Sequence, residues 1–283
     1  MAAVTDEYRT LVIEDIETYK GLNQPLKTNL LFRLIIHWMD INKLHPNPDD
    51  EFSMPEIGPN YGIIGDYEKQ FRKNIFHAQT PLEERLTVEK MSTGGYMLLN
   101  GHHRWMAARR VDLKKVPVEI VNVTPEEEII ELIKNSDKEK CVSFDLDEVL
   151  LTDDNVKFPL NLIYKKTLKK NAAVLIKELR EMGFDVWVYT GNYYSKQYIE
   201  FLFNVNHTKV DGVVSGMKNK KSSGKLKDAF REKYNISLHI DNESIICVDT
   251  KTKEYDVIDI NANEDSWAAE AMTHLLKIDS IKN

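Results

Sequence analysis

Short apolar runs alternate with helical patterns through the second half of the 283-residue chain, and this feature constrains the fold most strongly. Most of the runs are separated by segments whose apolar residues have the spacing of an amphipathic helix. Such alternation predicts an α/β fold in which crossover helices connect the strands of a mainly parallel sheet. The predicted strands are residues 141–144, 185–189, 210–214, 238–240, 245–248 and 257–260.

Two acidic residues follow the first of these runs. Asp145 and Asp147 come directly after the strand that ends at Phe144, so two carboxylates reach the carboxyl edge of the predicted sheet. Open α/β sheets usually bind their ligands at this edge. One carboxylate can attack an electrophile or hold a cation while the other exchanges a proton. The alternative is a structural Asp that only caps the turn after the strand.

Four motifs of the second half occur in the order typical of the haloacid dehalogenase (HAD) superfamily, which this half resembles. Asp145 and Asp147 are similar to the acidic pair of the first motif. Thr190 ends the next predicted strand, as in the second motif. Lys225 opens a later helix, as in the third motif, and Asp241 ends a later strand, as in the fourth. The resemblance implies a Rossmann-like HAD domain.

The resemblance also implies a role for each of these residues. Asp145 would be the nucleophile that forms an aspartyl-phosphate, and Asp147 would act as the general acid and base. Thr190 and Lys225 would hold the phosphoryl oxygens. Asp241 would bind Mg²⁺ together with Asp145 and the carbonyl of Asp147. A divalent cation and a lysine offset the repulsion between phosphate and carboxylates, and oxygen ligands suit Mg²⁺.

The later motifs leave alternatives open. Glu243 is a candidate for a second acidic metal ligand, because the family often has another acid near this position. Asp249 ends the next apolar run and is a second candidate for the role of Asp241. Three lysines lie just upstream of Lys225 and compete with it: Lys218, Lys220 and Lys221.

The intervals between the motifs bear on the substrate. Asp145 and Thr190 are 45 residues apart, and Thr190 and Lys225 are 35 residues apart. A strand and one or two helices fill most of each interval, so we expect no large cap domain. The site would then take a macromolecular substrate in an open position, or the first half of the chain would supply a lid.

A Gly-His-His-Arg turn is the clearest signal in the first half. Residues 96–100 are predicted to form a strand, Gly101 a turn and residues 102–110 a helix. The first amides of such a helix point outward, so with Arg104 beside them the turn favours an anion such as phosphate. The alternative is a solvated basic helix start after a hairpin.

The wider segment 41–123 resembles the ParB/sulfiredoxin-like domain. The segments that carry the resemblance occur in the family's order: Pro46-Asn47-Pro48, Pro81-Leu82, Gly95 to Arg104 and Val116-Pro117-Val118. The resemblance implies nucleotide binding, and the nucleotide would be ATP, ADP or CTP. The implied nucleotide contacts are Gly101, His102, His103 and Arg104.

Branches of this family differ in activity. Sulfiredoxins need a cysteine where His102 stands, so repair of cysteine sulfinate is not expected. Partitioning members continue into a helix-turn-helix region that this chain replaces with its α/β half, so partitioning is not expected either. A third branch phosphorylates free serine with an acidic base. The candidates for such a base here are Asp49, Asp50 and Glu51.

The full domain prediction has three segments. Residues 1–40 form a helical extension, residues 41–138 an α+β ParB/sulfiredoxin-like domain, and residues 139–283 a HAD-like phosphatase domain without a large cap. The main predicted function is Mg²⁺-dependent hydrolysis of a phosphomonoester, either a nucleotide or a small phosphorylated metabolite. One alternative is a bifunctional enzyme with a serine-like small-molecule kinase and a phosphatase. The other is a nucleotide-gated regulatory or nucleic-acid-processing protein.

Charge and apolar patterning limit the partners. The formal net charge is −7, which does not favour nucleic acid as the main partner. The first residues lack a basic segment followed by an apolar one, and the apolar stretch 30–38, predicted to be one helix, is too short to span a bilayer. We therefore expect a cytoplasmic protein without a membrane partner.

Two further sequence features concern packing and surface. Cys141 and Cys247 both lie in apolar runs and are predicted to be buried in strands. A basic run is predicted to be the solvated face of a helix, and its members are Lys165, Lys166, Lys169 and Lys170.

Overall fold

The chain folds into two compact units. A computed structural model describes residues 5–22, 24–33, 35–77, 85–152, 166–216, 224–249, 254–264 and 266–282. The first unit comprises Met1–Val123 and Asn192–Ser195, and the second comprises Thr124–Gly191 and Lys196–Asn283. The sequence predicts the join near residues 136–140, whereas the division falls between Val123 and Thr124.

One mixed sheet of five strands organises the first unit within the described residues. The strands are β1 (His37–Asp40), β2 (Leu44–Pro46), β3 (Leu86–Lys90), β4 (Tyr96–Asn100) and β5 (Lys115–Val121). In the order β1-β5-β3-β4-β2, the pairs β1–β5 and β3–β4 are antiparallel, and the pairs β5–β3 and β4–β2 are parallel. Together with its helices, this sheet agrees with the α+β class predicted for the first half.

Helices cover this sheet and complete its core. They are α1 (Asp6–Tyr8), α2 (Glu14–Tyr19), α3 (Leu30–Arg33), α4 (Tyr61–His77) and α5 (His102–Arg110), with a π-helical turn (Arg9–Ile13) between α1 and α2. α4 packs along α5, and α5 buries Trp105 and Met106. Tyr8 and Val12 belong to the same core, so the N-terminal helices are part of the first unit rather than a separate extension.

The helix predicted over residues 30–38 is only partly formed. α3 ends at Arg33, and Trp38 lies in β1 instead. β1 pairs with β5, where His37 stands opposite Val118. Sheet pairing satisfies the backbone hydrogen bonds of this segment, and this tertiary contact outweighs the helical spacing of its apolar residues.

The second unit contains the alternating pattern that the sequence predicts. Its strands are β6 (Lys140–Asp145), β7 (Leu151–Thr152), β8 (Thr167–Leu168), β9 (Phe184–Thr190), β10 (Gly212–Ser215), β11 (Ile236–Ile240), β12 (Ser244–Asp249) and β13 (Glu254–Asp259). Within the described residues, six of them form a sheet in the order β10-β9-β6-β11-β12-β13, and β7 pairs with β8. The first four are parallel, and β12 pairs antiparallel with both of its neighbours, β11 and β13. The sheet is therefore mixed.

The helices of the second unit explain where the join lies. They are α6 (Glu126–Asn135), α7 (Ala172–Glu181), α8 (Lys196–Val205), α9 (Gly224–Lys233) and α10 (Trp267–Lys282). α6 packs against α9 and β10 of this unit. Ser136, which follows α6, donates a hydrogen bond to Asp185 of β9. Because α6 buries its apolar face in the second unit, the division falls before this helix rather than after it.

Two smaller sequence expectations concern burial and the membrane. Cys141 and Cys247 are buried in β6 and β12, as predicted. Among the described helices, none is long and apolar enough to cross a membrane.

Candidate functional sites

Gly101 forms the turn between β4 and α5. Its backbone is left-handed, with φ 99° and ψ 25°. A Cβ at this position would lie 2.6 Å from Leu86 Cδ2 and 3.1 Å from Arg104 Nη2, so the turn requires glycine. No side chain of the described residues caps the N-terminus of α5, which leaves its first amides directed at an approaching anion.

Arg104 is held beside this turn in a half-buried position. Its Nη1 donates a hydrogen bond to the carbonyl oxygen of Arg85 at 3.0 Å. The guanidinium carbon lies 6.0 Å from the centre of the Tyr67 ring. The bond to Arg85 uses one of the five N–H donors of the guanidinium group. The guanidinium group therefore lies beside Gly101.

The His102 ring is enclosed rather than exposed to a ligand. Only 3% of the residue is accessible, and its Nε2 accepts a hydrogen bond from the Asn47 N–H at 3.2 Å. Its Nδ1 lies 3.5 Å from Asp50 Oδ2. Burial lowers the pKa of His102 to about 4, against the partial opposition of the Asp50 carboxylate. The neutral ring thus contacts the loop that follows β2, residues 47–60.

The His103 ring contacts the same loop at a second point. Its Nε2 accepts a hydrogen bond from the Asn60 N–H at 3.0 Å. Its ring packs edge-on against Phe52, with 5.1 Å between ring centres, and burial lowers the pKa of His103. The four predicted turn residues are therefore together. Among them, Gly101 and Arg104 lie at the uncapped start of α5, and the two imidazoles accept hydrogen bonds from the loop.

The three acidic residues of the loop differ in position. Asp49 and Glu51 are exposed, whereas Asp50 is partly buried. Asp50 Oδ1 accepts a hydrogen bond from the Phe52 N–H at 2.9 Å, and Oδ2 faces His102. Of these candidates for the base of a kinase reaction, Asp50 is the one that the structure places next to the turn.

In the second unit, the predicted polar residues meet at one edge of the sheet. Asp145 ends β6, Thr190 ends β9, and Asp241 follows β11. These three strands are parallel neighbours, with β6 in the middle, so their carboxyl ends lie side by side. Thr190 Oγ1 donates a hydrogen bond to Asp147 Oδ2 at 2.5 Å. The four residues thus lie together at one edge of the sheet.

The electrostatics of this edge are strongly acidic. Asp145 Oδ1 accepts a hydrogen bond from the Glu148 N–H at 2.7 Å. Burial raises the pKa of Asp145, and although the Glu148 N–H opposes this shift, the negative charges of Asp147 and Asp241 add to it. A cation at this edge would relieve that repulsion.

The negative charge at this edge suits a hard cation such as Mg²⁺, but within the described residues the edge offers too few carboxylate ligands to fill its coordination shell. Among the described residues, no three His, Cys, Asp or Glu side chains are grouped so that they can hold a metal ion. Asp145 and Asp241 would supply carboxylates, so Mg²⁺ would also need the Asp147 carbonyl or solvent oxygens. Glu243 is exposed in the turn between β11 and β12.

Asp249 is excluded as a substitute for Asp241. β12 runs antiparallel to β11, and Asp249 stands opposite Ile236 at the start of β11. It therefore lies at the opposite edge of the sheet from Asp145. The direction of β12 could not be read from an apolar run alone.

The predicted lysine of the third motif is not joined to this group. Lys225 is exposed at the start of α9 and makes no hydrogen bond or ion pair within the described part of the chain. Its three competitors, Lys218, Lys220 and Lys221, lie outside the described residues, as do Pro81 and Leu82 of the first half.

Two other lysines contact the acidic segment instead. Lys166 Nζ donates to Asp147 Oδ1 at 3.4 Å. Lys169 Nζ donates to the carbonyl oxygens of Glu148 and Ala262, at 2.8 and 3.0 Å. The prediction of a solvated helical face is wrong for both, because this segment is β8 and its flanks rather than a helix. In the sequence, only their position in a run of lysines singled out Lys166 and Lys169.

Comparison with known proteins bears on the first half of the chain. The family described as ParB N-terminal domain matches residues 82–136. This segment includes the Gly101 turn and α5. The first half therefore contains a ParB-like region, as the sequence predicts. No curated protein matches the chain.

Two similar solved structures are of the C-terminally truncated chromosome-partitioning protein ParB from Caulobacter crescentus. The one complexed with CTP-gamma-S is 24% identical, with a TM-score of 0.26, over 37% of this chain and 56% of that chain. The one complexed to the centromeric parS site is 24% identical, with a TM-score of 0.23, over 36% of this chain and 49% of that chain. The chain thus spans about half the length of these proteins. Neither the family model nor these two structures support the predicted HAD domain, and residues 82–136 are similar to the ParB N-terminal domain.

Proposed function

We propose that this chain is a nucleotide-gated regulatory protein whose ParB-like region binds the phosphates of ATP, ADP or CTP at the Gly101 turn. The observation that carries the proposal is the left-handed Gly101 at an uncapped helix N-terminus, beside Arg104 and inside the segment matched to the ParB N-terminal domain. This is the second alternative of the sequence analysis, and the family match favours it over a phosphohydrolase.

The turn offers two kinds of donor to a phosphate. The first amides of α5 donate along the helix axis, where the helix dipole also favours negative charge. Arg104 adds charge-assisted hydrogen bonds from the N–H donors that its bond to the Arg85 carbonyl does not use. The amides are neutral and the guanidinium is positive, so the Gly101 turn can attract phosphate although the net charge of the chain is −7.

Replacement of Arg104 by alanine tests this proposal. Arg104→Ala is expected to weaken nucleotide binding by about ten- to a hundredfold, since a hydrogen bond to a charged group contributes roughly 1.5–3 kcal/mol. The measurement is the rise in the melting temperature of the full chain with increasing ATP, ADP or CTP. The rise should be large for the wild type and small for Arg104→Ala.

Arg109→Ala is the matched control. Arg109 lies on the same helix but stacks on Trp105, with 5.5 Å from the guanidinium carbon to the ring centre. Its loss should leave the nucleotide response within about twofold of the wild type. An equal loss of response in the two variants would contradict the assignment of Arg104.

A second candidate function concerns the acidic strand edge. The observation that favours it is the meeting of Asp145, Asp241 and the Thr190–Asp147 hydrogen bond at the carboxyl ends of three parallel strands. We propose on this basis that the second unit hydrolyses a phosphomonoester, as a HAD-like domain would. Support for this proposal comes from the geometry and the motifs alone.

The residues at the edge divide the proposed reaction between them. An Asp145 oxygen forms the bond to phosphorus while the bond to the leaving oxygen breaks, and Asp147, protonated at the start, gives that oxygen its proton. Water then attacks phosphorus, the Asp147 carboxylate takes the proton from water, and phosphate leaves with Asp145 restored and Asp147 protonated again. The Thr190 hydroxyl and the Lys166 ammonium hold the Asp147 carboxyl group in place. Bound Mg²⁺ would offset the charge of the phosphoryl group.

Asp145→Asn tests this second proposal. Hydrolysis of p-nitrophenyl phosphate with Mg²⁺ is expected to fall by at least about a hundredfold, because an amide oxygen is a poor nucleophile. Asp249→Asn, at the opposite edge of the sheet, should leave the rate unchanged. Equal rates in the wild type and Asp145→Asn, or no hydrolysis by the wild type, would contradict the proposal.

A further inference from the structure

Two neighbouring histidines hold the two ends of the loop that follows β2. His102 Nε2 accepts the Asn47 N–H at 3.2 Å, and His103 Nε2 accepts the Asn60 N–H at 3.0 Å. Both histidines are at the start of α5, directly after Gly101. The loop is therefore bound to the same helix turn that the proposed function assigns to phosphate.

Both rings bind the loop as neutral acceptors. An N–H donor needs the lone pair of Nε2, so each ring carries its proton on Nδ1. The Nδ1 of His102 faces Asp50 Oδ2 at 3.5 Å, which suits this tautomer. In this arrangement both rings are neutral, so neither can form an ion pair with phosphate.

Phe52, in the middle of the loop, packs its ring against both histidine rings. Its ring centre lies 5.4 Å from that of His102 and 5.1 Å from that of His103. Its carbonyl oxygen accepts a hydrogen bond from the buried Tyr8 hydroxyl at 3.0 Å. The loop, the two histidines and the first turn of α5 thus form one contiguous group of contacts.

We propose that His102 and His103 are positioning residues that couple the order of the loop from Asn47 to Asn60 to nucleotide binding at the Gly101 turn. This inference rests on the proposed nucleotide-binding function. A phosphate that fixes the first turn of α5 also fixes the two imidazoles, and these fix the loop. By thermodynamic linkage, release of the loop must weaken nucleotide binding by the same factor by which nucleotide strengthens the loop contacts.

Two substitutions of His103 separate the hydrogen bond from simple packing. His103→Gln places an amide oxygen as many bonds from Cβ as the imidazole Nε2, so it can still accept the Asn60 N–H. His103→Asn is one bond shorter and cannot reach that N–H. Both side chains are polar and neutral, so the pair is matched for surface chemistry.

The experiment measures two quantities on the full chain. Hydrogen exchange of peptides that contain Asn47 and Asn60 reports the loop, and titration with ATP, ADP and CTP reports affinity. We expect His103→Asn to lower both the loop protection and the nucleotide affinity by about tenfold, which corresponds to one lost hydrogen bond. His103→Gln should stay within about threefold of the wild type in both quantities.

Different results would overturn different statements. If nucleotide binds the wild type and depends on Arg104, but His103→Asn leaves affinity unchanged, the coupling is wrong and the proposed function stands. If His103→Gln is as impaired as His103→Asn, the ring acts by packing and the positioning role is wrong. If the wild type binds none of the three nucleotides, the proposed function fails and the coupling with it.

Discussion

At the scale of single residues, the four consecutive turn residues have two different roles. Gly101 and Arg104 lie at the uncapped start of α5, where we propose that phosphate binds, whereas His102 and His103 accept hydrogen bonds from backbone N–H groups of the loop. The sequence predicts all four as nucleotide contacts, because they are consecutive and polar. Only the burial of the rings and the identity of their donors reveal the second role.

The enclosed His102 makes stability depend on pH. Its pKa is lowered to about 4 in the folded chain, below the ordinary value of about 6.5. Since the unfolded chain then binds more protons, the contribution of neutral His102 is complete above about pH 6.5 and is lost as pH falls from there toward 4. We expect the free energy of unfolding to fall over this range by at most about 1.4 kcal/mol per pH unit from this residue.

Urea unfolding of the full chain between pH 7 and pH 5 measures this slope. His102→Gln keeps an acceptor for the Asn47 N–H but has no proton to gain, so its slope should be smaller. Asp50 raises the pKa of His102 and His103 lowers it. Both residues are present in the wild type and in His102→Gln, so their own titration contributes to both slopes. Identical slopes in the two proteins would show that His102 does not carry the dependence.

Residues at strand ends were the most predictable part of the second unit. Asp145, Thr190 and Asp241 each end or follow a strand of a parallel group, and parallel strands bring their carboxyl ends together. Lys225 and Lys166 were not predictable in the same way. Each belongs to a segment with several lysines, and only the path of the backbone decides which one approaches Asp147.

At the scale of elements, the β4–α5 turn depends on glycine for two separate reasons. Gly101 has a left-handed backbone, and a Cβ there would also lie 2.6 Å from Leu86 Cδ2. Gly101→Ala is therefore expected to lower the free energy of unfolding by about 3 kcal/mol, the sum of backbone strain and steric overlap. Chemical denaturation of the full chain gives this value.

Two other glycines serve as controls for the effects of backbone strain and steric overlap at Gly101. Gly94 also has a left-handed backbone, with φ 92°, but no atom lies within 4 Å of its Cβ position, so Gly94→Ala should lose only about 1 kcal/mol. Gly65 lies in α4 with an open Cβ position, so Gly65→Ala should gain about 1 kcal/mol of stability. Equal effects at Gly101 and Gly94 would show that Leu86 does not restrict the turn.

Strands that are clear apolar runs in the sequence were predicted well. A strand that forms only because it pairs with a distant strand was not. The six strands predicted in the second half all form, because each is a short apolar run bounded by turns or helices. The segment from Leu30 to Trp38 has helical spacing, yet its end is β1, since β5 offers an edge for pairing. No local pattern contains the information that this edge exists.

At the scale of the whole molecule, the sequence correctly indicates two compact parts but misplaces their join. Residues 136–140 are polar and resemble a linker, which suggests a boundary there. The boundary lies instead before α6, because the packing of α6 on α9 and β10 decides its membership. The family match supports a ParB-like region in the first half, and the phosphohydrolase remains a proposal for the second.

Calorimetric titration of the full chain with ATP, ADP and CTP measures nucleotide binding at the Gly101 turn. We expect at least one of the three to bind the wild type, Arg104→Ala to weaken this binding by about tenfold or more, and Arg109→Ala to leave it unchanged. Absence of binding for all three nucleotides, or equal affinities in the wild type and Arg104→Ala, would show that the turn is not a nucleotide site.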